Sequence, residues 1–119
     1  MSKPSITPSQ LFRYKAYVAR VHDGNTVTLD IDLGLGLWRK GVFATLHRLS
    51  SPDMKGPAKE EGTAARDYLR SLILDREVLV RTTRAGQGQY GAEIVVAGKD
   101  GHLLNVNDAM VAAGHATRT

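Results

Sequence analysis

The first half of the chain contains two stretches in which apolar and polar side chains alternate with the period of a β-strand. In "TVTLDIDL" (residues 26–33), the aliphatic side chains face one way, and the threonines and aspartates face the other. "YKAYVARV" (14–21) precedes it, and the "DG" of the intervening "HDGN" is typical of a tight hairpin turn. Together these features predict an antiparallel pair of strands.

Three further strands are predicted downstream. "GLG" (34–36) breaks or bends the ribbon, and "GVFATLHRL" (41–49) follows it as the third strand. "SSPDMKGP" is a loop by its serine, proline and glycine content. "EVLVRTT" (77–83) and "EIVVAG" (93–98) are the fourth and fifth strands, joined by the glycine-rich "RAGQGQYG".

Two segments change to the period of a helix. "GTAARDYLRSLIL" (62–74) places its apolar residues on one helical face, and Thr63 is a candidate N-cap. The members of that face are Ala65, Leu69, Leu72 and Ile73. "NVNDAMVAAGHA" (105–116) shows a second helical pattern, which Gly114 is placed to end.

The order of these elements predicts a fold that is mainly β with helices, of the α+β class. Three strands, a helix, two strands and a helix suggest a five-stranded OB-fold barrel on which two or three helices pack. We expect residues 1–13 to form a short N-terminal arm and residues 14–119 to form a single domain.

Composition narrows the class of protein. The 119 residues include no cysteine, which excludes disulfides, thiolate zinc sites and a cysteine nucleophile. The N-terminus lacks the apolar core of a signal peptide, and no apolar run approaches the length that spans a membrane. We therefore expect a soluble cytoplasmic protein with no membrane partner.

The charge balance is basic. Sixteen Lys and Arg against twelve Asp and Glu give a net charge of +4 and a pI near 9.6. Such a surface favours polyanions, because phosphate backbones attract Lys and Arg and release counterions when they are neutralised. A surface that merely keeps the protein soluble is the alternative explanation, since charge alone is not specific.

Four stretches, in the correct order, resemble the staphylococcal nuclease (thermonuclease) family. "VHDGNTVTL" resembles its V-x-D-G-D-T-V hairpin, and "LSSPDMKG" resembles its I-D-A-P-E loop. "QYGAE" is similar to its K-Y-G-R segment, and "LLNVNDAMVAAGHA" is similar to its closing V-N-x-x-L-V-x-x-G-x-A helix. The resemblance covers roughly residues 14–116. It implies an OB barrel and calcium-dependent cleavage of DNA and RNA phosphodiesters.

The resemblance also implies a calcium site, which this chain carries in altered form. Asp23 keeps the first aspartate of the hairpin, which supports the metal from nearby, but Asn25 replaces the aspartate that ligates it. Ser50 stands in the slot of the second metal aspartate, and Ser51 follows with only a backbone carbonyl to offer. Calcium affinity follows the charge and number of its ligands, so we expect this site to be weak or empty.

The other catalytic slots implied by the resemblance have changed as well. Asp53 occupies the general-base position of a glutamate, one methylene shorter. Thr45 and Ala92 occupy the slots of the two arginines that clamp the phosphate. Arg48 is offset from Thr45 by three positions and therefore faces the other side of a strand, and Arg84 lies upstream of a flexible loop.

These replacements predict a catalytically inactive or strongly impaired nuclease-like domain that binds DNA or RNA without cutting it, with no cofactor. The candidate binding residues are basic or aromatic: Arg39, Lys40, Lys55, Arg81, Arg84 and Tyr90. One alternative is an active calcium-dependent phosphodiesterase with a rebuilt site. Another is a protein-interaction module or a regulatory subunit with a protein partner.

A transition-metal site is a further possibility among the histidines. His22, His47 and Asp53 could in principle combine as imidazole and carboxylate ligands. Their spacing matches no established metal motif, so we favour an ordinary strand histidine and a solvent-facing turn histidine.

Overall fold

The computed structural model describes residues 5–7, 11–84 and 89–119. Two α-helices, α1 (Lys59–Ile73) and α2 (Val106–Ala112), and a 3-10 helix (Gly56–Ala58) are present among these residues. The strands are β1 (Arg13–Asp23), β2 (Thr26–Gly34), β3 (Leu37–Leu46), β4 (Leu49–Ser50), β5 (Glu77–Arg84), β6 (Tyr90–Ala97), β7 (Leu103–Asn105) and β8 (Thr117–Arg118).

Five of the strands close into a barrel. Antiparallel pairing joins β3, β2, β1, β5 and β6 in that order, and a parallel pairing of β6 with β3 closes the ring. β7 extends the sheet beyond β6, and β4 pairs separately with β8. The predicted OB-like barrel with packed helices is confirmed.

The barrel interior is filled by the aliphatic residues that alternate along its strands. Val18, Leu29 and Ile94 are completely buried, as the period of two requires. α1 covers the barrel with Leu69 and Ile73, which are also completely buried. The predicted apolar face of this helix is therefore its packing face.

Several predicted boundaries differ from the structure, most clearly the starts of the third strand and of α1. The third strand begins at Leu37, because Leu35 and Gly36 adopt positive φ angles of 56° and 77° and turn the chain in two residues. "GLG" is therefore the turn of a second hairpin. α1 begins at Lys59, so the prediction of Thr63 as N-cap is wrong, and Ala58 is at that position. The 3-10 turn with a proline at its start leads directly into the helix.

Two glycines allow the β1–β2 turn, the segment after β4 and α1 to pack closely. A Cβ atom on Gly24 would lie 2.7 Å from the Cβ of Ala65 and 2.8 Å from that of Ser51. A Cβ atom on Gly62 would lie 2.1 Å from the carbonyl oxygen of Asp53. Since real Cβ atoms do not approach so closely, glycine is required at both positions for this packing.

The helices within the described part of the chain are too short or too polar to cross a bilayer.

Candidate functional site

The turn between β1 and β2 is bound to the β4 segment through the side chain of Asn25. Its Nδ2 donates to the carbonyl oxygen of Leu49 at 3.0 Å, and its Oδ1 accepts from the Ser51 hydroxyl at 3.1 Å. The Thr26 hydroxyl donates to the same Oδ1 at 3.3 Å. Asp23 stabilises the turn by accepting from the backbone N–H of Asn25 at 2.9 Å. The Asn25 amide therefore cross-links segments 24 to 26 residues apart.

The other positions implied for the metal, and the position implied for the general base, lie at the same corner. Ser50 is exposed on β4, where it pairs with Thr117 of β8. Ser51 follows it, half-buried, and its hydroxyl donates a hydrogen bond to Oδ1 of Asn25. Asp53 is exposed in the loop before the 3-10 helix, and its backbone is held against Gly62. The turn, β4 and this loop therefore bring the expected positions close in space.

The two arginine slots lie in different environments. Thr45 is half-buried on β3, between Thr26 of β2 and Gly91 of β6. Ala92 is completely buried and belongs to the barrel core, so an arginine side chain there would point into the interior. Arg48 lies beyond the end of β3, in a turn with a φ of 55°, so strand geometry does not decide its direction.

The histidines have separate partners. Nε2 of His22 is 2.7 Å from the Thr28 hydroxyl, and its ring lies 5.5 Å from that of Phe43. Nδ1 of His47 is 3.3 Å from the Thr83 hydroxyl. Within residues 5–7, 11–84 and 89–119, no three His, Asp or Glu side chains form a group suited to a metal. The predicted locations of the two histidines are exchanged: His22 lies on β1 rather than in the turn, and His47 lies in the turn after β3 rather than on a strand.

Four of the six candidate binding residues meet at one end of the barrel. Nη1 of Arg39 donates to the Tyr90 hydroxyl at 2.9 Å, and its guanidinium lies 5.2 Å from the ring centroid. Tyr90 also lines two adjoining hollows of about 370 and 110 Å³. Arg81 and Arg84 border the larger hollow, and Arg39 borders the smaller one. We call these four residues the barrel-mouth cluster.

The charges of this cluster are not equally available. Arg81 pairs with Glu93 directly across β5 and β6, with its Nε 3.1 Å from Oε2. The Arg81 guanidinium holds the pKa of the Glu93 carboxyl below its ordinary value, against the opposing effect of partial burial. Arg84 is exposed at the end of β5. It is therefore the better candidate to meet a phosphate.

The other two candidates lie outside the cluster. Nζ of Lys40 lies 5.0 Å from the Trp38 ring centroid and 3.9 Å from Oδ2 of Asp30. Lys55 is exposed in the loop before the 3-10 helix. The six residues predicted from sequence thus belong to at least three surfaces.

Three exposed aromatic residues on the outer side of β1 and β3 were not among the predicted site residues: Tyr17, Trp38 and Phe43. The glycine-rich segment 85–88, which we interpreted as part of a flexible connection, lies outside the described residues.

Comparison with known proteins adds no support to the staphylococcal nuclease resemblance, which rests on the sequence motifs alone. No protein-family model matches this chain, and no curated protein sequence matches it significantly. The function must therefore be argued from the site itself.

Proposed function

We propose that this chain is a nuclease-like barrel that binds nucleic acid without cutting it. The observation that carries the proposal is the hydrogen bonding of Asn25. A calcium ligand must present a free oxygen lone pair, and the negative charge of carboxylates strengthens the site. Here Oδ1 of Asn25 already accepts from two hydroxyls, and its amide is neutral.

The donor set does not fit a calcium ion. Ser50 offers a neutral hydroxyl in place of a carboxylate, and Ser51 directs its hydroxyl to Asn25. Asp23 uses Oδ1 to hold the turn. No step through a metal is therefore proposed, and the corner is interpreted as a structural cross-link.

The absence of arginine from the two positions implied to bind the phosphate supports the same interpretation. Thr45 has no positive charge, and Ala92 is buried in the core. Removing one such transition-state donor typically costs about a hundred- to a thousandfold in rate. Losing an arginine that stabilises a transferring phosphoryl group can cost about a thousandfold or more.

Binding is supported by the barrel-mouth cluster. Nucleic acids are bound without sequence preference by a basic groove next to aromatic rings on which bases stack. Tyr90 beside Arg39 and the exposed Arg84 supply both kinds of group. Because the charges attract phosphate, the affinity should fall as salt rises.

The test is incubation with labelled DNA and RNA in calcium, magnesium and manganese, scoring retained complexes and products together. We expect complexes that dissociate as salt is raised, and no products that accumulate with time. Calcium-dependent cleavage at about 1 s⁻¹ or faster, the range of ordinary enzymes, would overturn the proposal. So would the absence of any complex at low salt.

A matched pair of variants separates a local contact from a change in net charge. Arg84→Ala removes one positive charge at the barrel mouth and should weaken binding. It should also lower the slope of log affinity against log salt by about 0.7, the value for one phosphate of a single strand. Lys99→Ala removes the same charge from the turn after β6, about 25 Å from Tyr90 along that strand. It should leave the affinity nearly unchanged.

A protein-interaction module is the second candidate, and the β2–β3 turn favours it. Leu35 is completely exposed at the tip in a left-handed backbone conformation that disfavours leucine, and Leu33 and Leu37 beside it are exposed as well. If no nucleic acid binds, this tip is the first surface to test with a protein partner.

A further inference from the structure

The outer side of β1, β2 and β3 gathers exposed aromatic and basic side chains that lie far apart in sequence. Cross-strand pairing places Arg20 beside Thr28, and Thr28 beside Phe43. A second row pairs Lys15 with Asp32, and Asp32 with Trp38. Paired residues project to the same side of a sheet, so these rows form one surface.

A third row lies between these two. It pairs Tyr17 of β1 with Asp30 of β2. Asp30 in turn is close to Lys40 of β3, with 3.9 Å between Oδ2 and Nζ. We define the aromatic face as Tyr17, Trp38 and Phe43 together with Lys15, Arg20 and Lys40.

The aromatic rings on this face are accessible. Tyr17, Trp38 and Phe43 are 37%, 46% and 47% exposed. The chain has seven aromatic residues, so three on one outer surface is a concentration that barrel packing does not require. Exposed rings gathered on one surface are typical of a binding site.

Contacts with neighbouring residues fix the rings. The Tyr17 hydroxyl donates to Oδ1 of Asp75 at 3.1 Å, and this bond raises the pKa of the phenol above its ordinary value. Phe43 packs against the His22 ring, and Lys40 lies over Trp38. Rings that are already held in place lose less entropy when a ligand stacks on them.

The two aspartates that β2 contributes to this face have local backbone roles. Oδ1 of Asp30 accepts from the N–H of Gly41 at 2.9 Å, and Lys40 is near its other oxygen. Oδ1 of Asp32 accepts from the N–H of Gly34 at 2.8 Å. Each of these two carboxylates thus shapes the β2–β3 hairpin. Lys15 keeps about half of its side chain in solvent but lies 3.8 Å from Oε1 of Glu77, whereas Arg20 is exposed.

We propose that the aromatic face is a stacking platform for single-stranded nucleic acid, on which bases lie against Phe43 and Trp38 and phosphates approach Arg20 and Lys40. This inference rests on the proposed function, and it assigns the preferred class of ligand. Unpaired bases can leave their own stack to lie on a protein ring, whereas the bases of a duplex are already paired and stacked.

The dimensions of the face agree with a short single strand. The β2 partners of Phe43 and Trp38 are Thr28 and Asp32, four positions apart, which is about 13 Å along the strand. This span fits within a binding site of about 4–16 nucleotides, the range of site sizes of OB folds. The hairpin therefore offers two rings within one small site.

The single tryptophan of the chain makes the inference directly testable. A thymidine oligonucleotide of about 12 nucleotides should quench the fluorescence of Trp38, and a duplex of the same length should quench it much less. Phe43→Ala should weaken single-strand binding about 5- to 150-fold, which corresponds to the ~1–3 kcal/mol of stacking one base on an aromatic ring. Phe43→Leu, which retains apolar bulk, should weaken it similarly.

The matched control is Leu104→Ala. Leu104 is 39% exposed on β7, outside the aromatic face and the barrel-mouth cluster, so its loss should leave single-strand binding unchanged. Circular dichroism of each variant should show an unchanged fold, since all the altered side chains are exposed.

The possible outcomes separate this inference from the proposed function. Equal binding of single strands and duplexes, unaffected by Phe43→Ala but weakened by Arg84→Ala, would overturn the stacking platform and keep the binding function. The aromatic face would then be assigned to a protein partner. Absence of any nucleic-acid binding at low salt would overturn both.

Discussion

Replacing Asn25 with aspartate tests whether this corner of the barrel is a structural cross-link or a weakened metal site. The substitution removes the Nδ2 donor and places an oxygen about 3.0 Å from the carbonyl oxygen of Leu49, where the amide nitrogen now lies. The bonds from Ser51 and Thr26 remain and become charge-assisted. The change is isosteric, so packing at the neighbouring Gly24 is preserved.

The expected cost follows from these contacts. Losing a net hydrogen bond costs about 0.5–1.5 kcal/mol, and an acceptor left without its partner costs about 1–3 kcal/mol. The strengthened bonds to the carboxylate offset part of this loss. Because the site is only partly buried, we expect Asn25→Asp to lower the free energy of unfolding by about 1–3 kcal/mol at pH 7.

The loss of stability in Asn25→Asp is measured by urea unfolding and compared with that of two other amide-to-acid variants. Gln89→Glu makes the same chemical change at an exposed position and should alter stability by less than about 0.5 kcal/mol. Asn107→Asp makes it where Nδ2 donates to the carbonyl of Ala92 and the residue is only 4% exposed, so it should cost more than Asn25→Asp. An Asn25→Asp variant as stable as the native chain would refute the cross-link.

The change in Tm on addition of calcium is a second test of the same corner. Asn25→Asp combined with Ser50→Asp restores both carboxylates of the implied site, so calcium should raise its Tm. A ligand at a hundred times its Kd stabilises the folded state by about 2.7 kcal/mol. The native chain should show no shift with calcium or EDTA. A calcium-dependent Tm of the native chain would mean that a metal site exists in spite of the Asn25 hydrogen bonds.

Three further predictions concern the scaffold. Leu69→Ala should lower the free energy of unfolding by about 2–5 kcal/mol in urea, since this leucine is completely buried; a neutral result would mean that α1 is misplaced. Gly62→Ala should destabilise, although alanine favours helices by about 1 kcal/mol, because its Cβ would lie 2.1 Å from the Asp53 carbonyl; a gain in Tm would refute that packing. The pKa of Glu93 is lowered by Arg81, so this pair stabilises the fold above the ordinary carboxyl pKa of about 4.3, and the stabilisation is lost as pH falls through the lowered folded-state value. Since Glu93 is about a third exposed, the effect should be under about 1 kcal/mol, and Glu93→Gln should remove it from pH-dependent unfolding curves.

The barrel could be predicted from sequence because its signals are local. Alternation in 26–33, the "DG" turn and the helical face around Leu69 each specify an element without reference to distant residues. The cross-link could not be predicted in this way, since Asn25 contacts Leu49 and Ser51 only after the barrel has closed. The same holds for Arg81, which pairs with Glu93 through the β5–β6 register.

Irregularities in the strands explain why the aromatic face was missed. Simple alternation places residues three apart on opposite sides of a strand. The register shifts between Val18 and Arg20, so Tyr17 and Arg20 reach the same side. A second shift lies opposite Leu29 and Ile31 of β2. Bulges of this kind leave no clear pattern in a single sequence, although they redirect side chains next to binding sites.

The Asn25 cross-link also explains how a barrel of the proposed kind keeps its shape without a metal ion at this corner. Two carboxylates at one corner repel each other unless a cation lies between them, so bound metal stabilises such a corner. An amide that donates to Leu49 and accepts from two hydroxyls joins the same segments without any charge. The packing of Gly24 against Ala65 then needs no ion to hold it. A neutral corner of this kind repels phosphate less than uncompensated carboxylates would, which agrees with the proposed binding of a polyanion to the neighbouring surfaces.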